Sequence, residues 1–184
     1  MGLRDRREHR HEERETFGRG GTATRYRMRQ KLVSIGDDYW IENDDGERVF
    51  RVDGKAMRLR NTLDVEDAHG TQVCRIQTRV LHIRDSMAIE GPDGNQIALV
   101  HKALISPLRE RWKVDLEGDR EWKVQGNVLD HEYEIEHDGR TIAQVSKKWF
   151  RVRDTYGVEI HPDENQALVL AVSVAVDTMS HPAK

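Results

Sequence analysis

The run Ala167-Leu168-Val169-Leu170-Ala171-Val172-Ser173-Val174-Ala175-Val176 stands alone in a polar chain. No other stretch is as long and as apolar, so its environment decides the architecture. A helix over about 163–179 is expected, because Pro162 ends the preceding element, Asp163 is placed to cap, and Gln166 follows three residues later as in a capping box. Crossing a bilayer takes about 20 apolar residues, which this run does not reach. A helix apolar on every face belongs inside a core, so something must surround it.

The surroundings are read from the preceding sequence. From Tyr26 to about Ile160, short runs alternate apolar and polar residues, as in Met57-Arg58-Leu59-Arg60, Leu63-Asp64-Val65-Glu66 and Tyr133-Glu134-Ile135-Glu136. Period two is the signature of strands with one wet face. Turn signals separate them: Asp44-Asp45-Gly46, His69-Gly70, Pro92-Asp93-Gly94, Glu117-Gly118-Asp119 and His137-Asp138-Gly139. The spacing predicts an antiparallel meander of about a dozen strands of ordinary length.

The meander also repeats. Phe50-Arg51-Val52-Asp53-Gly54 matches Trp122-Lys123-Val124-Gln125-Gly126, and Gly70, Val73, Ile76, Arg84 and Asp85 match Gly139, Ile142, Val145, Arg153 and Asp154 at a constant offset of 69 residues. Two such halves can close on each other and abolish exposed edges. A barrel of eight strands is just filled by its own side chains, so one of about twelve needs a plug, and the apolar helix supplies it.

Composition narrows the functional classes. The 184 residues hold 30 Lys and Arg against 33 Asp and Glu, a formal charge of −3, so no global attraction to polyanions is expected. Residues 1–24 interleave both signs with almost no apolar side chains and end in Gly18, Gly20 and Gly21. They are read as a disordered charged tail ahead of one domain over 25–184. Cys74 has no partner for a disulfide, no apolar signal region opens the chain, and Arg6 occupies the place a myristoylation motif reserves for Ser or Thr. A cytoplasmic location is expected, with peripheral membrane attachment left open.

Val145-Ser146-Lys147-Lys148-Trp149-Phe150, then Asp154-Thr155-Tyr156, then the terminal run through Ala167, Leu170, Ala171 and Asp177 resemble the LURP-one-related family. Met28-Arg29-Gln30-Lys31-Leu32, Gly46, Val49-Phe50, Val52, Gly54 and the segment from Lys102 to Trp112 fit the same pattern, so the likeness covers roughly residues 25–180. That family is similar to the C-terminal domain of Tubby proteins and to phospholipid scramblases. The resemblance implies a twelve-stranded barrel around a buried C-terminal helix, in agreement with the periodicity. It also implies a range of functions: Tubby relatives bind phosphoinositide headgroups, and plant members are linked to pathogen defence. No motif here carries the Tubby headgroup residues over.

Catalytic and metal signatures are sparse. His131 and His137 lie six residues apart; on one strand they would be separated by about 20 Å, too far for one ion. His131 is read as a surface histidine, and no metal ligands, cofactor or catalytic residues are assigned. Cys74 aligns with Ala143 in the repeat and is read as a packed, inert thiol. No nucleophile elbow, P-loop or dinucleotide fingerprint occurs.

The remaining candidates are cations. Lys55, Arg58 and Arg60 lie close together, as do Arg75, Arg79 and Arg84, and the second half offers Lys147, Lys148, Arg151 and Arg153. Lys55, Arg58, Arg60, Lys147, Lys148, Arg151 and Arg153 are the candidate anion or lipid-headgroup residues, with Trp149 and Phe150 as an interfacial anchor. Alternatively these cations pair across strands with Asp64, Glu66, Glu132, Glu134 and Glu136 and serve solubility.

Two function classes follow. One is a non-enzymatic binding or scaffold domain that recognises anionic lipid or a protein partner through the outer barrel face. The other is an enzyme or lipid-handling protein with a site at the barrel mouth. Nucleic-acid binding through the tail is not expected, because its acids neutralise its arginines.

Overall fold

The computed structural model describes residues 23–29, 38–53, 62–81, 84–103, 111–149 and 155–181. Twelve antiparallel strands follow in chain order: β1 (Thr24–Arg29), β2 (Tyr39–Asn43), β3 (Arg48–Asp53), β4 (Thr62–Asp67), β5 (Gln72–Leu81), β6 (Arg84–Glu90), β7 (Gln96–Lys102), β8 (Arg111–Leu116), β9 (Arg120–Asn127), β10 (Glu132–His137), β11 (Arg140–Ser146) and β12 (Thr155–Ile160). Each pairs with its neighbours in sequence, and β1 pairs with β12 from Thr24 opposite Ile160 to Arg29 opposite Thr155, which closes the barrel. Closure leaves no strand edge open for pairing with another chain. β1 begins at Thr24, so the first strand reaches into the stretch read as tail; residues 1–22 lie outside the described residues.

Alternation sorts the side chains. Val52, Val65 and Cys74 sit opposite one another on β3, β4 and β5, all buried, and Val100, Val114 and Trp122 do the same on β7, β8 and β9. Their neighbours along each strand point outward.

The two halves repeat in three dimensions. Gly70 and Gly139 both turn a hairpin with φ near +80°, a conformation that costs glycine nothing. Just beyond each turn a bulge intrudes: Val65 pairs Cys74 while Glu66 pairs Gln72, and Ile135 pairs Ala143 while Glu136 pairs Thr141. The extra residues are Val73 and Ile142, which the sequence repeat already matched. Bulges add twist and curvature, which a closing wall requires.

The helix α1 spans Gln166–Ser180. At 1.5 Å per residue it is about 22 Å long, enough to run through the barrel. Every residue from Val169 to Thr178 is buried, and the helix packs against β5, β6, β7 and β12. Its cap differs from the expectation. Asn165, not Asp163, closes the first turn, its Oδ1 accepting from the Leu168 amide at 3.1 Å. Gln166 turns back to donate to the carbonyls of His161 and Glu164, at 3.1 and 3.0 Å. Pro162, Asp163 and Glu164 instead form the turn out of β12, which moves the helix start from 163 to 166. Nor is the helix apolar throughout: Ser173 and Asp177 are fully buried within it.

Topology gives the barrel two unlike ends. Short turns join β2 to β3, β4 to β5, β6 to β7, β8 to β9 and β10 to β11 at one end, where α1 also begins. The other end holds the opposite strand ends, with the described connection 128–131 and the 3-10 turn Lys147–Trp149, and it receives the C-terminus of α1. We refer to these as the turn end and the loop end.

Candidate functional site

At the loop end the last turns of α1 carry two polar residues on one face, Asp177 and, four residues on, His181. A third group comes from the connection between β9 and β10. There Asn127 and Asp130 hold a tight turn, Asn127 Nδ2 donating to Asp130 at 2.6 Å and the Asp130 amide donating to Asn127 Oδ1 at 3.2 Å. The turn leaves His131 in the left-handed region at φ 52°, and its amide donates to the Val128 carbonyl at 3.0 Å. That conformation is uncommon for any residue with a Cβ, and it swings the imidazole inward.

The three side chains meet. His131 Nε2 lies 2.5 Å and His181 Nδ1 3.1 Å from Asp177 Oδ1. An ionised carboxylate only accepts, so both rings face it as donors. The two imidazoles stack at 5.2 Å with 5° between their planes, and Tyr156 lies 4.3 Å from His131 on its other side. Burial opposes ionisation of Asp177, whose side chain is 1% exposed, but the two histidine hydrogen bonds outweigh it and hold the carboxyl below its ordinary value. His181 is shifted up, chiefly by its hydrogen bond to Asp177; its ring also faces the Leu129 carbonyl.

Phenols complete the nest. Tyr39 on β2, Tyr133 on β10 and Tyr156 on β12 are all pushed up by burial and by the Asp177 charge. The hydroxyls of Tyr39 and Tyr156 and the second oxygen of Asp177, Oδ2, are buried with no hydrogen-bond partner among the described residues. Buried polar atoms in folded proteins are nearly always satisfied, so this is an unusual concentration. The arrangement can hold a proton or a cation within an otherwise apolar interior.

His131 is therefore not the surface histidine the sequence suggested: its side chain is 1% exposed. It precedes β10 rather than lying on it, so the shared strand face with His137 does not exist. Sequence reasoning passed over the cluster because it placed His131 on a strand with His137 and weighed it against that histidine alone. The i, i+4 pairing of Asp177 with His181 at the end of an apolar helix was the available signal.

The cations expected to bind anions divide in two. Lys55, Arg58, Arg60, Arg151 and Arg153, together with Phe150, lie outside the described residues. Lys147 and Lys148 form a single 3-10 turn through Trp149 rather than continuing β11, with Lys148 Nζ 3.3 Å from Glu132. Trp149 is half-buried beneath the Arg25 guanidinium, 5.2 Å away. On the wall, cations are matched across strands: Arg75 Nε donates to Asp64 at 2.7 Å, Arg51 Nη2 to Glu66 at 2.6 Å, Arg25 Nε to Glu159 at 2.8 Å and Arg79 Nη2 to Glu90 at 2.9 Å. Those pairings favour the solubility reading for the wall.

The turn end is acidic. The turn-end connections carry Asp44, Asp45, Glu47, Asp93, Glu117, Asp119, Asp138, Asp163 and Glu164 with no Lys or Arg; only Arg48, Arg120 and Arg140, each opening the following strand, offset them. At the loop end the described connections carry Lys147 and Lys148 alongside Asp130; the chain leaves β3 there at Asp53 and re-enters β4 at Thr62, and the intervening sequence holds Lys55, Arg58 and Arg60 without a carboxylate. Leu129, in the turn before His131, is 51% exposed, the large hydrophobic that stands out among the described residues. Cys74 is buried, and burial followed by the Asp64 charge pushes its thiol up to about 12.

Comparison with known proteins agrees with this architecture. The Bacillus subtilis (strain 168) protein YxjI, named only as uncharacterized, is 23% identical over 150 residues, which cover 82% of this chain and 90% of that protein. The X-ray structure of the Arabidopsis thaliana protein AT5G01750 matches with a TM-score of 0.59 at 15% identity, over 85% of this chain and 92% of that one, a likeness of fold. A family model described as LURP-one-related matches residues 24–177, from the first residue of β1 to the buried carboxylate of α1. The chain belongs to the LURP-one-related family.

Proposed function

We propose that this protein is a non-enzymatic binding domain of the cytoplasm that docks its loop end against anionic phospholipid headgroups. The supporting observation is a turn end rich in carboxylates, opposite the end that carries Lys147 and Lys148 and where the sequence between β3 and β4 supplies Lys55, Arg58 and Arg60. Such a dipolar body orients itself at a negative surface. This moves the recognition surface from the outer wall, whose cations are already paired, to the end where Lys55, Arg58, Arg60, Lys147, Lys148, Arg151 and Arg153 gather in sequence. Leu129 supplies an apolar tip for the interface. No helix among the described residues is long and apolar enough to cross a membrane, so attachment through this end is peripheral in the proposal. Occupation of the barrel axis by α1 disfavours the rival enzyme reading.

Each basic residue near an anionic surface contributes about 1 kcal/mol, so removing three weakens binding by about a hundredfold. Co-sedimentation with vesicles of phosphatidylcholine and phosphatidylserine measures it. Wild-type protein should bind at low salt and release at high salt. Lys55→Glu, Arg58→Glu and Arg60→Glu together should abolish binding, while Asp44→Lys at the turn end should not weaken it. Failure to bind, or binding indifferent to the triple change, refutes the proposal.

A further inference from the structure

We infer that Asp177, His131 and His181 form a binding site for a single first-row divalent cation of the zinc type. This inference is independent of the membrane reading, since the site lies inside the barrel and none of its residues belongs to the cationic loops.

The geometry supports it in four respects. One carboxylate oxygen and two imidazole nitrogens already lie within 4.8 Å of one another. Zinc bonds nitrogen and oxygen at about 2.0–2.1 Å, so side-chain shifts of about 1 Å bring all three to one ion. Two imidazoles and a carboxylate form a donor set suited to zinc, iron or cobalt rather than to calcium or magnesium. Asp177 Oδ2 is buried with no hydrogen-bond partner among the described residues, an acceptor left over once Oδ1 has taken both histidines.

The supports around the ligands point the same way. His181 Nδ1 also lies 3.3 Å from the Asp177 carbonyl, a backbone contact that holds the ring against the end of α1. His131 is held at φ 52°, which turns its ring into the nest beside Asp177. The unpartnered hydroxyls of Tyr39 and Tyr156 supply further oxygen within the same nest. Access is through His181, whose side chain is 19% exposed at the mouth.

The cluster has a competing explanation as a hydrogen-bonded pin that fixes the end of α1 to β10 without any ion. Titration of tag-free, chelator-stripped full-length protein with Zn2+ separates the two. We expect one ion per chain with a dissociation constant tighter than about 100 µM, and a d–d absorption band on substituting Co2+. His181→Gln should weaken binding by about tenfold or more, whereas His161→Gln, an exposed-end histidine near Asp163, should leave it unchanged. Weaker binding by the wild type, or wild-type affinity in His181→Gln, overturns the inference. If that variant does not fold, zinc-edge X-ray absorption of the wild type decides: imidazole scattering supports the site, and an oxygen-only shell excludes it.

Discussion

Leu170→Ala is the sharpest probe of the packed interior. Leu170 is 0% exposed in the first half of α1, within the run Val169–Thr178 that is buried throughout. Truncation removes its transfer free energy and leaves a cavity that a closed wall cannot collapse into, a combined cost of about 3 kcal/mol within a range of 2–5. A domain of this size has about 5–15 kcal/mol to lose, and each kcal/mol moves the melting point by about 2–4 °C, so a fall of roughly 6–12 °C is expected. Leu129→Ala deletes the same atoms from a half-exposed position and should stay within about 0.5 kcal/mol. Urea unfolding followed by the fluorescence of buried Trp112 and Trp122 measures both. If the two variants lose equal stability, or if Leu170→Ala costs under about 1 kcal/mol, the helix is not enclosed as described.

Other positions give independent checks. A Cβ on Gly126, whose φ is 139°, meets the Glu132 carbonyl at 2.5 Å and Tyr133 Cα at 2.7 Å; Gly126→Ala should cost about 3–5 kcal/mol by denaturant melt, whereas Gly46→Ala, with open space around it, should cost about 1–2 kcal/mol. Cys74, with its thiol near 12 and no access to solvent, should resist Ellman's reagent at pH 8 in folded protein and react at once in guanidinium; rapid reaction of the native state contradicts its packing. Arg75→Ala breaks a wall ion pair whose arginine is 39% exposed and should change stability by about 1 kcal/mol or less.

The architecture was legible because it rests on periodicities that burial enforces. Alternation in Leu63-Asp64-Val65-Glu66 survives as buried and half-buried positions, and matched Val73 and Ile142 prove to be equivalent bulge residues. The helix was recognised from its apolar run, but its start was misplaced by three residues. Asp163 reads as the cap in sequence, whereas residues 162–164 form a turn and Asn165 caps the helix instead. The buried cluster was not legible, since it depends on the φ of His131 and on the end of α1 reaching the connection between β9 and β10. Neither is encoded in local spacing. Of the cation candidates read as strand faces, Lys147 and Lys148 prove to sit in a 3-10 turn after β11, because the chain stops pairing at Ser146.

Amide hydrogen exchange along α1 tests the enclosure most directly. Amides from Val169 to Thr178 should exchange only through global unfolding, with a free energy equal to that from denaturant melts and a matching denaturant dependence. Exchange of that segment at a much lower free energy, while β5, β6 and β12 stay protected, contradicts a helix held within the closed wall.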